Sequence, residues 1–188
     1  MPRPQSVSDD QVSVRLRSTF RRKGFDGASL VDLASESGLA KAGLYHRFPG
    51  GKREMAESVL DGLKAWMTQW VLGPLDEPGD AREKLEQMVK MLRKLYANGT
   101  EPCLIGQFSV GGGLEHFQQR LGNSLLALQK GITTTLIQHG IPRQEASRRA
   151  EDAVIRIQGS LVLARAQNDP GPFLRTMQRL PNSLLGDL

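Results

Sequence analysis

Residues 29–52 read SLVDLASESGLAKAGLYHRFPGGK, and the punctuation of this stretch decides the fold. Ser29 stands three residues before Asp32 with capping-box spacing, Asp replacing the more usual Glu. A helix is therefore predicted to start near Leu30 and to carry Leu33 and Ala34 inward. Gly38 stops it, because glycine accepts the left-handed conformation a chain needs on leaving a helix. The small residues Ala40, Ala42 and Gly43 let a second helix cross the first closely. Leu44 and Phe48, one turn apart, anchor that helix inward and leave Lys41, Tyr45, His46 and Arg47 near its outer face. After Pro49-Gly50-Gly51, Lys52 opens another helix, where free backbone amides and a cation can both meet a phosphate. Two short helices joined by a glycine turn, followed by a basic helix start, are the outline of a helix-turn-helix.

Working outward toward the N-terminus, Val12, Leu16 and Phe20 recur every four residues before Gly24. They predict a first helix over residues 8–23 that lies across the pair. Charge is concentrated on this same end of the chain. Residues 1–55 carry ten Lys or Arg against six acids, whereas residues 56–188 carry fifteen against fourteen, so most of the net +5 sits on the helix-turn-helix segment. Phosphate neutralisation in nucleic-acid binding requires such a placement. Arg21-Arg22-Lys23 also complements the C-terminal end of its own helix.

On these residues the chain resembles the TetR (tetracycline-repressor-like) family of bacterial transcriptional regulators, and the run LYHRFPGGK resembles the subgroup that controls drug-efflux and resistance genes. The Gly38 turn, Leu44-Tyr45, Phe48 and Lys52 coincide with the family pattern in order. The match covers the first third of the chain, and beyond residue 60 the resemblance is architectural. It implies an all-α protein in which an N-terminal three-helix helix-turn-helix DNA-binding domain, residues 1–55, is joined through a long helix to a C-terminal helical ligand-binding and dimerisation domain, residues 56–188. The DNA-contacting positions carried over are Ser29, Ala40, Lys41, Ala42, Tyr45, His46, Arg47 and Lys52. Of these, Lys41 and His46 are expected at base edges, Tyr45 and Lys52 on phosphates, and Ser29 near a backbone oxygen at its helix start. Relatives usually carry Ser or Thr where this chain has Ala40. With few polar groups facing the groove, specificity is expected to rest partly on DNA shape, with Thr19 or Arg47 at the margins. Tyr45 packing between helices, Ser29 acting only as a cap and Lys41 being merely solvated are the structural readings that compete with these roles.

The remainder reads as helix almost throughout, with no alternating β-branched segment long enough to compete. Met55, Val59, Leu63, Met67 and Trp70 mark a long helix from Lys52 to Leu72, ended by Gly73-Pro74. Asp80 with Glu83 gives a second capping box, opening a helix with Leu85, Met88, Leu92, Leu95 and Tyr96 inward and closed by Asn98-Gly99. The run Leu121, Leu125, Leu128, Ile132 and Leu136 predicts another helix, ending at Gly140. Pro142 then stands near the start of one carrying Ala146, Ala150, Ala153, Val154, Ile157 and Leu161. A last helix is predicted over Gly171 to Leu180. Gly106, Gln107 and Gly111-Gly112-Gly113 are expected to interrupt helix between the two long segments, as a gate or a bend.

A single helix-turn-helix contacts too few base pairs for genomic specificity, so a two-fold dimer on double-stranded operator DNA is expected. The small apolar stripe of the helix from Arg143 to Gln167, with Phe173, Leu174 and Met177 of the last helix, is the candidate interface, and packing inside its own subunit is the competing reading. The resemblance further implies a pocket for a small hydrophobic or aromatic effector. Trp66, Trp70, Met88, Met91, Tyr96, Phe108 and Phe117 lie in or near the helices that would enclose it.

Other function classes fare poorly. There is no run of 18 apolar residues for a membrane span, and MPRPQSVSDDQV lacks the apolar core of a secretory signal, so a cytoplasmic protein, nucleoid-associated when on DNA, is expected. Cys103 is a lone cysteine, which excludes an internal disulfide and a cysteine-rich zinc site. Histidine occurs only at His46, His116 and His139, in no HExxH pattern, and Glu115-His116 are adjacent residues that point in different directions on a helix. Gly50-Gly51-Lys52-Arg53 is not a phosphate loop, because His46 holds the first glycine position and Arg53 replaces the required Ser or Thr; SVGGGLE lacks the spacing of a dinucleotide fingerprint. No catalytic residues, metal ligands or cofactors are assigned, and an enzyme is not expected. The remaining rival is a helical interaction module whose basic face meets an acidic partner or a membrane surface.

Overall fold

The structure is a computed structural model that describes residues 8–186. Among these residues the chain is helical with no strand: α1 (Asp9–Gly27), α2 (Leu30–Ser37), α3 (Lys41–Arg47), α4 (Gly51–Met67), a π-helical turn (Thr68–Leu72), α5 (Gly73–Asp76), α6 (Ala81–Leu95), α7 (Leu104–Phe108), α8 (Gly111–Gln138), α9 (Arg143–Ala166) and α10 (Gly171–Leu185).

The head forms as its sequence dictates. Ser8 and Gln11 close a capping box on α1, and Ser29 and Asp32 close the predicted one on α2. Val12, Leu16 and Phe20 are fully buried under α2 and α4. Gly38 takes the left-handed conformation at φ 75°, and its N–H donates to the Ser35 carbonyl. Helical geometry in α1 breaks at Gly24 (φ 69°), as predicted, and one more turn then carries the chain to Gly27.

Three boundaries differ from expectation, each for a packing reason. The long helix does not end at Gly73-Pro74. It widens into a π turn in which the Gly73 N–H donates to Thr68 five residues back, which accommodates a proline without an N–H to give. The chain then continues as α5, because Leu75 is buried against Gly131 of α8 and its carbonyl accepts from Lys84 Nζ at 3.3 Å and Thr135 Oγ1 at 3.5 Å. Asp80 caps α6 by accepting from the Arg82 and Glu83 amides, with no return bond from Glu83.

Gly111-Gly112-Gly113, expected to interrupt helix, instead forms the first turn of α8, ten residues before Leu121. Tertiary contacts described below hold it there. The last helix runs past Leu180 and through Pro181 to Leu185. Burial of Leu184 contributes about 1.5–3 kcal/mol, which offsets much of the roughly 3 kcal/mol that an internal proline costs. Arg149 then donates to the Leu184 carbonyl at 2.8 Å.

The C-terminal layers pack chiefly through α8 on α9 and α9 on α10. The stripe proposed as a dimer contact is used inside the subunit: Ala146, Ala150, Ala153, Ile157 and Leu161 are all buried, as are Phe173 and Met177. What α9 leaves in solvent is the opposite face, with Ile155, Val162 and Leu163 each at least half exposed.

Candidate nucleic-acid interface

The second helix of the helix-turn-helix is α3, and its placement follows from two anchors. Leu44 and Phe48 are buried, and this turns Ala40, Lys41, Ala42, Tyr45 and His46 outward, all exposed. Ala40 occupies the N-cap and makes no side-chain capping bond, so the first-turn amides of α3 remain open to an outside acceptor. Tyr45 lies beside Gly51, its ring 3.7 Å from where a Cβ would stand there, so the turn into α4 and the outer face of α3 are in contact.

The other carried-over positions are more constrained. Ser29 is exposed, but its hydroxyl both accepts the Asp32 amide and donates to Asp32 Oδ2 at 2.7 Å. Lys23 Nζ binds the other carboxylate oxygen at 2.6 Å, and this bond together with those from Ser29 holds the Asp32 carboxyl at about 2. The N-terminus of α2 thus already carries its own anion. Arg47 is half-buried and paired with Asp9 at 3.0 Å. Lys52 is half-buried: its ammonium lies 4.6 Å from the centre of the Phe25 ring and 3.5 Å from the Asp26 carbonyl, tying the start of α4 to the end of α1. Thr19, expected at the margin of the interface, is fully buried and donates to the Arg15 carbonyl at 3.0 Å. Its Val12-to-Phe20 neighbours place it on the core side of α1, so it is not a groove contact.

A junction that sequence reasoning missed joins this head to the C-terminal layers. Phe25 makes edge contacts with Phe108, Phe117 and His116 at 5.4–5.9 Å and stacks on Phe20 at 6.4 Å. Asp26 Oδ2 accepts the Gly112 amide at 3.0 Å and so caps α8 from another helix. The approach is close. A Cβ on Gly111 would collide with that carboxylate, one on Gly112 would come within 2.7 Å of it, and one on Gly113 within 2.8 Å of the Phe108 carbonyl. The available signal was three consecutive glycines between apolar helices, a composition that fits close approach of another backbone as well as it fits a break.

Two cavities lie behind the junction. The larger, about 220 Å³, is bounded by α4, the π turn, α7 and α8; Leu60, Leu63, Met67, Leu72 and Ile105 line its apolar side, and an Arg120–Asp61 ion pair at 2.8 Å lies at its polar side. None of the seven residues named as pocket candidates lines it. Met88, Phe108 and Phe117 are core, Trp66 and Met91 are half-buried against it, Trp70 is 46% exposed, and Tyr96 lines only the smaller cavity, of about 10 Å³, with Arg21, Cys103 and Gln158. Leu, Ile and polar side chains, with Met67, line the space instead. Among the described residues no cluster of His, Cys, Asp or Glu is suited to hold a metal ion, and no helix is long and apolar enough to cross a membrane.

Comparisons with known proteins agree with this geometry. Residues 81–179 match the family described as transcriptional regulator LmrA/YxaF-like, C-terminal domain, and residues 16–59 match bacterial regulatory proteins, tetR family. The chain is 22% identical over 185 residues to the HTH-type transcriptional regulator LmrA of Bacillus subtilis, covering 95% of this chain and 98% of that one. It is 25% identical over 189 residues to an uncharacterized HTH-type transcriptional regulator of Mycobacterium tuberculosis, covering 95% of each. Among solved structures, a TetR transcriptional regulator from Legionella pneumophila superposes with a TM-score of 0.81 at 17% identity, over 96% of this chain and 99% of that one. The regulator CifR, solved as a cysteine mutant complexed with 26-base-pair operator DNA, does so with 0.76 at 18% identity, over 96% and 98%.

Proposed function

The chain belongs to the TetR family of DNA-binding transcriptional regulators, and from that premise we propose that it is a homodimeric repressor released from its operator by a small hydrophobic ligand. The observation that carries the reading is the double use of α4. Its first turn is tied to the end of α1 by Lys52 and lies against Tyr45 of α3 at Gly51, and its last turns, at Leu60, Leu63 and Met67, form a wall of the larger cavity. A molecule that swells the cavity pushes on the helix that carries the reader. In a two-fold dimer the reading helices must stay about 34–36 Å apart to enter successive major grooves, so a tilt of α4 in each subunit removes both from register. Release requires the ligand to bind the tilted state more tightly than the DNA-bound one.

On the DNA, Lys41 and His46 are assigned to base edges, with Tyr45, the open amides of α3 and Lys52 on phosphates. Lys52 reaches a phosphate by leaving Phe25, so its contact is coupled to the junction. For the dimer we assign the exposed face of α9. Ile155, Val162 and Leu163 fall on one stripe at i, i+7 and i+8, and Gly159 between them has open space around it, which permits close helix approach. Such a protein works in the cytoplasm, at the nucleoid when bound to DNA.

The test is binding of the purified protein to the DNA upstream of its own gene, competed with random DNA at fixed salt and repeated with a panel of flat hydrophobic compounds. Selective retention, released by one compound, is the expected result. Equal retention on both DNAs refutes the regulator reading, and a monomeric mass in solution at micromolar concentration refutes the dimer.

A further inference from the structure

Arg21 belongs to α1, in the DNA-reading head, yet its side chain is about nine-tenths buried beneath α6 and α7. Among the described residues its nearest carboxylate, Glu101, is 3.9 Å away and partly exposed, too far for a hydrogen bond, and the buried Arg21 Nε–H has no partner. Desolvation by burial lowers the guanidinium pKa, and nearby Arg17 adds to it. A buried cation so weakly compensated is costly, and the cost is relieved by an anion with two acceptor oxygens. The inner cavity that Arg21 lines also presents the Tyr96 hydroxyl, buried 3.6 Å from Cys103 Sγ, and Gln158. That cavity holds only about 10 Å³, but Leu63, Met67, Ile105 and Ser124 line both it and the 220 Å³ cavity, so the two adjoin.

We propose that this pair of cavities is a binding site for a small amphipathic carboxylic acid, whose apolar body fills the outer cavity and whose carboxylate reaches Arg21 in the inner one. The proposal rests on the ligand-responsive reading above and names the ligand's class. A carboxylate matches the planar fork of a guanidinium, and the Tyr96 hydroxyl and the Gln158 amide can donate beside it. The inner space is about that of one water, so the acid group enters only as Leu63 and Met67 move outward. Both are on α4, and Arg21 is on α1. The ligand therefore pulls on one head helix while pushing the other.

The experiment measures binding of octanoic, decanoic and dodecanoic acids, and of the alcohols of the same lengths, to the full chain by titration calorimetry. The variants are Arg21→Met and Lys64→Met; beside Arg120, which is paired with Asp61, Lys64 is the other exposed cation at the outer cavity and the competing receptor. Arg21→Met keeps the volume and removes a buried charge, so it is expected to fold. At least one acid is expected to bind about tenfold or more tightly than its alcohol, a difference that Arg21→Met abolishes and Lys64→Met leaves intact. The Arg21 Nε–H resonance in the nitrogen–proton correlation spectrum of labelled protein should shift with acid and not with alcohol. Equal binding of acids and alcohols, absence of binding by every acid, a preference that survives Arg21→Met, or one lost only in Lys64→Met each overturns the proposal, leaving water as the partner of Arg21. Operator retention is measured in parallel. Acid binding through Arg21 without release from DNA upholds this site and refutes ligand release, whereas loss of release without loss of binding separates the two in the same way.

Discussion

Replacing Gly111 with alanine should damage the junction by two routes that a double-mutant cycle can separate. Gly111 has φ 55°, a left-handed conformation that costs an alanine about 1–2 kcal/mol. Its new Cβ would also overlap the Asp26 carboxylate, which can swing away but then loses the Gly112 amide it holds at 3.0 Å. Loss of such an N-terminal cap costs about 1 kcal/mol. Gly111→Ala is thus expected to destabilise by about 2–3 kcal/mol and Asp26→Ala by about 1. In the double variant the cap is lost once, not twice, so its cost should equal that of Gly111→Ala alone, a coupling of about 1 kcal/mol. The assay is urea unfolding followed by far-ultraviolet circular dichroism, with melting temperature as a check; each kcal/mol corresponds to about 2–4 °C for a chain of this size. If the two single costs sum to the double within about 0.3–0.5 kcal/mol, Asp26 is not the cap of α8 and the reasoning fails.

Lys52→Ala should weaken binding to every DNA sequence and flatten the dependence of log affinity on log salt by about one unit, measured by fluorescence anisotropy across a salt series; an unchanged slope would leave Lys52 as a junction residue only. Lys41→Ala and His46→Ala should instead alter preference among operator variants, and an unchanged preference in a competition assay would remove both from base reading. Lys84, buried with the Leu75 carbonyl and Gln138 Oε1 as its partners among the described residues, is structural. Lys84→Ala should destabilise by about 1–3 kcal/mol through the unpaired Leu75 carbonyl and the space left, without changing the operator-to-random ratio of the folded protein. The carboxyls of Asp32 and Glu145 are each held at about 2, Asp32 by Lys23 and Ser29 and Glu145 by Arg148 and Arg149, below ordinary values of 3.8 and 4.5. A depressed folded-state value means stability that is present above the ordinary value and lost as pH falls toward 2. Melting temperature should therefore drop across that window in the wild type and less steeply in an Asp32→Asn, Glu145→Gln variant.

The head and the helical class are legible in the residues taken in order. Local rules are enough where neighbours in the chain are also the partners: Ser29 with Asp32, Gly38 after Ser37, and Leu44 with Phe48 sit within a few residues of one another, so spacing fixes their geometry. Tertiary structure decided everything that depends on residues far apart. Gly111-Gly112-Gly113 is poor helix sequence, and it starts α8 because Asp26, 86 residues earlier than Gly112, supplies a cap from α1. Gly73-Pro74 is a stop signal that a π turn and the burial of Leu75 overrule. Helical periodicity identified the apolar face of α9 but not which partner it meets; packing on α8 and α10 consumed the alanine stripe and left Ile155, Val162 and Leu163 outside. The same limit applies to the cavity. Met88, Phe108 and Phe117 were drawn into the core, while the space between α4 and α8 is defined by where two helices fail to fill the gap, which no local pattern records. Arg21 looked like a helix-end cation in the sequence, and only the fold placed it beneath α7 with an unpaired N–H.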